Sequence, residues 1–326
     1  MSWVIWVVGP PGGDTSAARV AADRLAAEGG PVTVLEVERL RRVLTPDTSD
    51  GTPEREIVYR ALVFMAVELA TAGRPVLIVA TGDRRQWREQ ARACLERFAE
   101  VRMESPHSST APPELAAEQI VQLARKLAAG APGRGDIGGG AAIWLTGLPG
   151  SGKTTLASRL AETLHGDGVP VTLLEWVALR ASLFGDGCPS AADLEVGHRA
   201  LALTAAHLAE AGLMVIVDAT APRRAWRRLG RAMIGRFAEV QLLCPPETCA
   251  VRERDVRWRP RRPPVSPGSI TIDWPGEYEY ADCPELTLDT AVRSEWTATE
   301  DLRALARRLL RGGVDGKEAP CASEIS

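Results

Sequence analysis

The chain has 326 residues, of which 45% are hydrophobic and 25% charged, with a formal net charge of −3. That is the composition of an ordinary globular protein long enough for two cores, and the near-neutral balance excludes bulk nucleic-acid binding even though arginine is locally concentrated. No stretch reaches the roughly 18–20 apolar residues of a membrane span, and the six cysteines show no paired or metal-ligand spacing, so reduced thiols in the cytoplasm are the expectation.

The opening Ser2-Trp3-Val4-Ile5-Trp6-Val7-Val8 is apolar, short and without a basic leader, and it reads as a first strand rather than a signal peptide. Trp6 to Ser16, with Gly9-Pro10-Pro11-Gly12-Gly13-Asp14-Thr15 between, lines up with Trp144 to Thr154 at an offset of 138. One residue later the register settles at an offset of 139. Val32-Thr33-Val34-Leu35-Glu36 then matches Val171-Thr172-Leu173-Leu174-Glu175, Arg84-Arg85-Gln86-Trp87-Arg88 matches Arg223-Arg224-Ala225-Trp226-Arg227, and Arg97-Phe98-Ala99-Glu100-Val101 matches Arg236-Phe237-Ala238-Glu239-Val240. A repeat whose period is a whole domain means two similar folds in tandem. The expected domains are residues 1–129, a glycine-rich linker over 130–140, a second domain over 141–311, and a disordered tail over 312–326 that lacks apolar periodicity.

The second copy of the aligned segment carries the strongest local signal. The apolar run Ala141–Leu145 leads into Gly147-Leu148-Pro149-Gly150-Ser151-Gly152-Lys153-Thr154-Thr155, followed by apolar residues at helical spacing through Leu164. Strand, glycine loop and helix N-terminus in that order form a phosphate-binding P-loop. Lys153 is expected on the β- and γ-phosphates of ATP and Thr154 on Mg²⁺. A glycine-rich turn that binds nothing would need all three elements to agree by accident. In the first copy Thr15 stands at the lysine position, and Asp14 sets a carboxylate where the backbone should receive phosphate.

Alternation of strand and helix in each half predicts an α/β fold, a tandem of P-loop NTPase-type three-layer α/β/α domains with parallel sheets. The predicted strands of the second half are Ile143–Thr146, Val171–Glu175, Met214–Asp218 and Val240–Leu243, with ligands at their carboxyl ends. Glu175 and Asp218 end two of them. Either carboxylate can hold Mg²⁺-bound water or take a proton from an attacking hydroxyl, and either can instead cap the following turn. Asp218 is favoured because Val79 replaces it in the first half, whereas Glu36 survives there. The arginine-rich run from Arg252 through Arg254 and Arg257 to Arg262 reads as a catalytic lid over the P-loop, the alternative being a solvated basic face. The first half lacks both the lysine and the stretch that covers the lid, which makes it a non-catalytic pseudo-domain. His198 and His207 read as packing residues, and the tryptophans as core, with Trp176, Trp258 and Trp274 set apart as facing the cleft.

The second half resembles the adenylyl-sulfate kinases, which transfer phosphate from ATP to the 3′-hydroxyl of adenylyl sulfate. The resemblance spans about residues 141–311 and lies in Gly147–Thr155, in Phe237-Ala238-Glu239-Val240, in Cys249 with Arg254-Asp255, and in Tyr278-Glu279 followed by Pro284-Glu285-Leu286 and Asp289-Thr290. It implies ATP and Mg²⁺ as cofactors, a small-molecule acceptor contacted by Glu175, Arg180, Arg199 and Arg223, and pairing of the two halves or of two chains. The family's second acid after Glu175 is here Val177, its Asp-Arg-x-x-Asn-x-Arg helix is Asp193-Leu194-Glu195-Val196-Gly197-His198-Arg199, and its substrate-stacking phenylalanines are absent. Phosphorylation of adenylyl sulfate is therefore the first expectation. A different hydroxylated acceptor is the second, and a nucleotide-binding regulatory module the third.

Overall fold

A computed structural model describes residues 2–9, 16–46, 52–80, 85–103, 113–129, 139–257 and 277–312, with the side chains of 52–54, 113 and 254–257 excepted. The chain divides into two compact units, Met1–Ile137 and Gly138–Ser326. The expected linker over 130–138, Asp14 and Thr15, Trp258 and Trp274, and the tail from 313 onward lie outside the described residues.

Unit 1 runs β1 (Val4–Val8), α1 (Ser16–Gly29), β2 (Thr33–Glu36), α2 (Val37–Leu44), α3 (Thr52–Thr71), β3 (Val76–Ala80), α4 (Arg85–Cys94), β4 (Phe98–Arg102) and α5 (Pro113–Ala128). Unit 2 repeats this as β5 (Ala141–Thr146), α6 (Lys153–Gly166), β6 (Val171–Glu175), α7 (Trp176–Phe184), α8 (Ala191–Glu210), β7 (Met214–Asp218), α9 (Arg224–Met233) and β8 (Phe237–Leu243). It then continues with α10 (Pro246–Arg257), β9 (Leu286–Asp289) and α11 (Glu295–Leu310). The sheets order as β2-β3-β1-β4 and β6-β7-β5-β8-β9, with every pairing parallel. The expected α/β class with parallel sheets is what forms.

Several boundaries differ from the sequence reading. The strand expected from Ile143 begins at Ala141, and the one expected from Val240 begins at Phe237, because Ala141, Ala142, Phe237 and Ala238 are fully buried and paired, Ala141 with Met214, Ala142 with Phe237 and Ala238 with Ile143. Two helices, α2 and α3 in unit 1 and α7 and α8 in unit 2, stand between the second and third strands, where the sequence pattern predicts one. Only four strands were expected in unit 2; the fifth, β9, closes the edge of β8. In the repeat, Pro113-Glu114-Leu115 corresponds to Pro284-Glu285-Leu286, yet it opens helix α5 instead of leading into a strand. Among the described residues, nothing pairs with the outer edge of β4.

The unit 2 core is one apolar layer in which Ile143, Leu145, Ile216, Val240, Leu242 and Leu288 of the sheet meet Leu156, Leu160 and Leu164 of α6 and Leu302, Leu305 and Leu309 of α11. The sheet residues are mostly β-branched or leucine and fully buried, as a strand covered by helices on both faces requires. Against the core expectation for tryptophan, Trp296 is 73% exposed, because it sits in the first turn of α11 on the side away from the apolar stripe of that helix.

Candidate active site

The loop from β5 to α6 wraps tightly at the carboxyl edge of the sheet. Gly150 has φ of +78°, a left-handed conformation that costs a glycine little, and a Cβ there would collide with the carbonyl of Cys249 on α10. Helix α10 thus lies directly on the loop. The Ser151 hydroxyl is buried with no hydrogen-bond partner among the described residues. Lys153 opens α6 and is only 8% exposed. Its ammonium turns back on the loop, donating to the carbonyls of Gly147 and Leu148, each at 3.0 Å. Burial pushes the Lys153 pKa below the usual lysine value, against the opposing pull of Asp218, Cys249 and Glu253.

Thr154 and Asp218 meet at the same place. The Thr154 hydroxyl donates to Asp218 Oδ2 at 2.7 Å, and Asp218, 8% exposed, ends β7 in register with Glu175 at the end of β6. No described residue pairs with the Glu175 carboxylate, which stands at the N-cap of α7 without capping it. A hydroxyl and a carboxylate this close, beside a phosphate loop, are hard oxygen donors of the kind that hold Mg²⁺ together with substrate phosphates. Among the described residues no group of three or more histidine, cysteine or acidic side chains could hold a metal by itself.

The loop after Asp218 is held from below. Arg227 is fully buried and donates to Glu239 at 2.6 Å, to the carbonyl of Ala221 at 2.6 Å and to the carbonyl of Glu279 at 2.6 Å. Ala221 has φ of +39°, sparsely populated for a residue with a Cβ, and the Arg227 bond keeps it there. Glu285 grips Arg231 with both oxygens, at 2.5 and 2.7 Å, and accepts from the backbone N–H of Glu239 at 2.6 Å. The Phe-Ala-Glu-Val and Pro-Glu-Leu segments are therefore scaffold: their glutamates pin β8, β9 and α9 together.

Two of the three arginines expected on the acceptor side meet at one residue that sequence reasoning passed over. Glu195 takes Arg223 at 2.9 Å, the Trp226 indole N–H at 2.7 Å and Arg199 at 3.5 Å. Arg180 lies on the neighbouring helix α7. Behind this cluster His198 is sandwiched between Trp176 at 4.0 Å and Trp226 at 3.7 Å, and a Cβ at Gly197 would lie 2.7 Å from the Trp176 ring. His198 Nδ1 lies 2.8 Å from the Leu194 carbonyl, which only a donor can satisfy, so Nε2 carries no proton. Burial pushes the His198 pKa down to about 3. His207, on the same helix, pairs with Glu210 at 3.3 Å. Both histidines pack as expected.

The basic run is resolved into two parts. Through Arg257 it is helix, not loop, and Arg252 is clamped rather than poised: it donates to the Thr290 carbonyl at 2.7 Å and to the Thr290 hydroxyl at 3.3 Å, while that hydroxyl donates to the Ser151 carbonyl at 2.8 Å. The side chains of Arg254 and Arg257, and everything from residue 258 to 276, lie outside the described residues. The five described cysteines are free, and burial pushes the Cys249 thiol up to about 12.

With this geometry established, comparison with known proteins decides the family. The family model described as adenylylsulphate kinase matches residues 1–113 and again 139–261. The chain belongs to the adenylylsulphate kinase family. Both units match the same model, so the adenylylsulphate kinase fold occurs twice in this chain. The chain is 36% identical over 155 residues to an adenylyl-sulfate kinase of Synechococcus sp. (strain JA-3-3Ab), covering 48% of this chain and 87% of that one. It is also 36% identical over 152 residues to the adenylyl-sulfate kinase of Citrobacter koseri, covering 46% and 75%. Among solved structures, the Mycobacterium tuberculosis APS kinase CysC in complex with AMPPNP and APS is similar at 27% identity and a TM-score of 0.42, over 52% of this chain and 98% of that one. As an adenylylsulphate kinase family member the chain is a phosphotransferase with an alcohol group as acceptor, and ATP is the nucleotide its family uses. No helix among the described residues is long and apolar enough to cross a membrane.

Proposed function

We propose that unit 2 transfers the γ-phosphoryl group of ATP to the 3′-hydroxyl of adenylyl sulfate, and that unit 1 does no chemistry. The observation that carries this reading is the Thr154–Asp218 contact of 2.7 Å beside Lys153, at the mouth of a complete P-loop. The naming of curated relatives as adenylyl-sulfate kinases supports the acceptor.

Loop amides from Gly147 to Thr155 cradle the phosphates, and the unsatisfied Ser151 hydroxyl gains a partner there. Lys153 exchanges its two carbonyl bonds for the β- and γ-phosphates. Thr154 and Asp218 would hold Mg²⁺, which supplies neutralisation of the charge on the phosphates. Asp218 or Glu175, adjacent in register, accepts the proton of the acceptor hydroxyl; its oxygen then bonds to the γ-phosphorus as the bond to the bridging oxygen breaks and ADP leaves. Arg180, Arg199 and Arg223 hold the anionic part of the acceptor, and Arg254 and Arg257 carry charge on the transferring group.

A second reading, phosphorylation of a different hydroxylated metabolite, is favoured by Glu195, whose carboxylate takes up part of the charge of Arg199 and Arg223. ADP release from Mg-ATP, measured with and without adenylyl sulfate, separates the two. Turnover that requires adenylyl sulfate is expected, with Asp218→Asn lowering it about 100-fold. ATP turnover indifferent to adenylyl sulfate would remove that acceptor, and Asp218→Asn at wild-type rate would pass the base to Glu175.

A further inference from the structure

The two units differ in which half of the site each retains. At the common offset of 139, Glu175, Arg180, Glu195 and Arg199 of unit 2 correspond to Glu36, Arg41, Glu56 and Arg60 of unit 1, identical in every case. They occupy the same places. Glu36 ends β2 at the N-cap of α2, as Glu175 ends β6 at the N-cap of α7, and the arginines at 41 and 180 follow on those helices. Glu56 pairs with Arg60 one turn along α3 at 2.7 Å, as Glu195 pairs with Arg199 along α8 at 3.5 Å. Behind them Tyr59 stacks on Trp87 at 5.6 Å, as His198 stacks on Trp226.

The donor side shows the reverse. In β3 it is Val79, not an acid, that lies in register with Glu36, where unit 2 sets Asp218 against Glu175. In the aligned sequence Thr15 takes the place of Lys153, while Ser16 keeps a hydroxyl at the place of Thr154. Burial explains why an aromatic stack persists, but partly exposed ion pairs such as Glu56–Arg60 add little to stability, so the fold alone does not demand the same residues at these positions. Unit 1 also adds a guanidinium: Arg19 of α1 pairs with Glu36 at 2.7 Å, offsetting a carboxylate that could otherwise repel an anion or take a proton. In a parallel sheet these residues, at and just beyond the carboxyl end of β2 and in the first turns of α3, lie at the ligand-binding edge.

We infer that unit 1 is a non-transferring binding site for the same chemical class of anion that unit 2 phosphorylates, a sulfate or phosphate ester of a nucleoside, with its acceptor half intact and its donor half dismantled. This rests on the reading that Glu175, Arg180 and Arg199 hold the acceptor in unit 2. The test is calorimetric titration of the full chain with adenylyl sulfate while Mg-AMPPNP saturates the donor site. Two equivalents of adenylyl sulfate are expected for each AMPPNP. The pair Arg41→Gln with Arg60→Gln removes one of them, and Arg180→Gln with Arg199→Gln removes the other; Arg60→Gln alone serves if the first pair fails to fold. A single equivalent, lost with the unit 2 variants and untouched by those in unit 1, overturns the inference and leaves the acceptor reading standing. No adenylyl sulfate bound by either unit overturns both.

Discussion

Units 1 and 2 share the order of their first four strands and an Arg–Glu pair, and differ in the side chains at one edge and in α10 and β9, which are described only in unit 2. Arg88 donates to Glu100 at 3.1 Å in unit 1 as Arg227 donates to Glu239 at 2.6 Å in unit 2. The glutamate is shared out differently. In unit 1 Arg92 also binds Glu100, at 2.7 Å, whereas its counterpart Arg231 is drawn away to Glu285. What both copies keep is what the fold needs; Lys153 and Asp218, found in unit 2 alone, are what the proposed phosphoryl transfer uses.

Removing the P-loop cation strikes that difference hardest. Lys153→Ala is expected to cut turnover on the order of 10³-fold, with the melting temperature little changed, since a group aimed at developing charge contributes to the transition state and not to the fold. The reciprocal change, Thr15→Lys, is expected to create no second active site, because the first half has Val79 at the place of Asp218 and lacks the stretch that covers the lid. A second equivalent of ADP formed per chain in a single-turnover assay would break the division between the copies.

The buried pairs test the shared part. Arg227→Ala leaves the buried Glu239 with only the longer pair to Arg231 at 3.8 Å and is expected to cost about 3 kcal/mol in denaturant unfolding. Arg88→Ala is expected to cost visibly less, because Arg92 remains on Glu100. Equal costs would mean that the second arginine carries no compensating charge.

A pH dependence attaches to one repeat position. His198 titrates at about 3 in the fold against an ordinary value of 6.5, so the unfolded chain takes up a proton below pH 6.5 that the folded chain refuses until about pH 3. Stability is therefore complete above pH 6.5 and falls by about 1.4 kcal/mol per pH unit as the pH drops through that window. His198→Tyr, which installs the unit 1 residue, is expected to remove this slope. An unchanged profile of melting temperature against pH in the variant would place the dependence elsewhere.

The sheet and the P-loop were legible in the sequence because runs such as Met214-Val215-Ile216-Val217 and the glycine spacing of 147–152 declare themselves locally. The fifth strand was not. Pro284-Glu285-Leu286 and Pro113-Glu114-Leu115 look alike, and their fates are decided by the next few residues of the chain: Thr287-Leu288-Asp289 alternates with period two, while Ala116-Ala117-Glu118 favours helix. Nor could spacing show that Arg252 would be spent on Thr290, or that Glu195 would reach Arg223 and Trp226 beyond its own helix, since both depend on which faces meet in space.

The uncovered rim of β4 bears on how such a duplicated chain stays in solution. In unit 2 the outward amides and carbonyls of β8 are engaged by the segment around β9, through Glu285 to Glu239 and Thr290 to Leu243. The equivalent groups of Phe98, Glu100 and Arg102 in unit 1 meet no described strand. Exposed edges invite pairing with any extended peptide, and charges of opposite sign spaced along them discourage it. Glu100 and Arg102 thus set charges of opposite sign along an edge that no described strand covers, where unit 2 has β9.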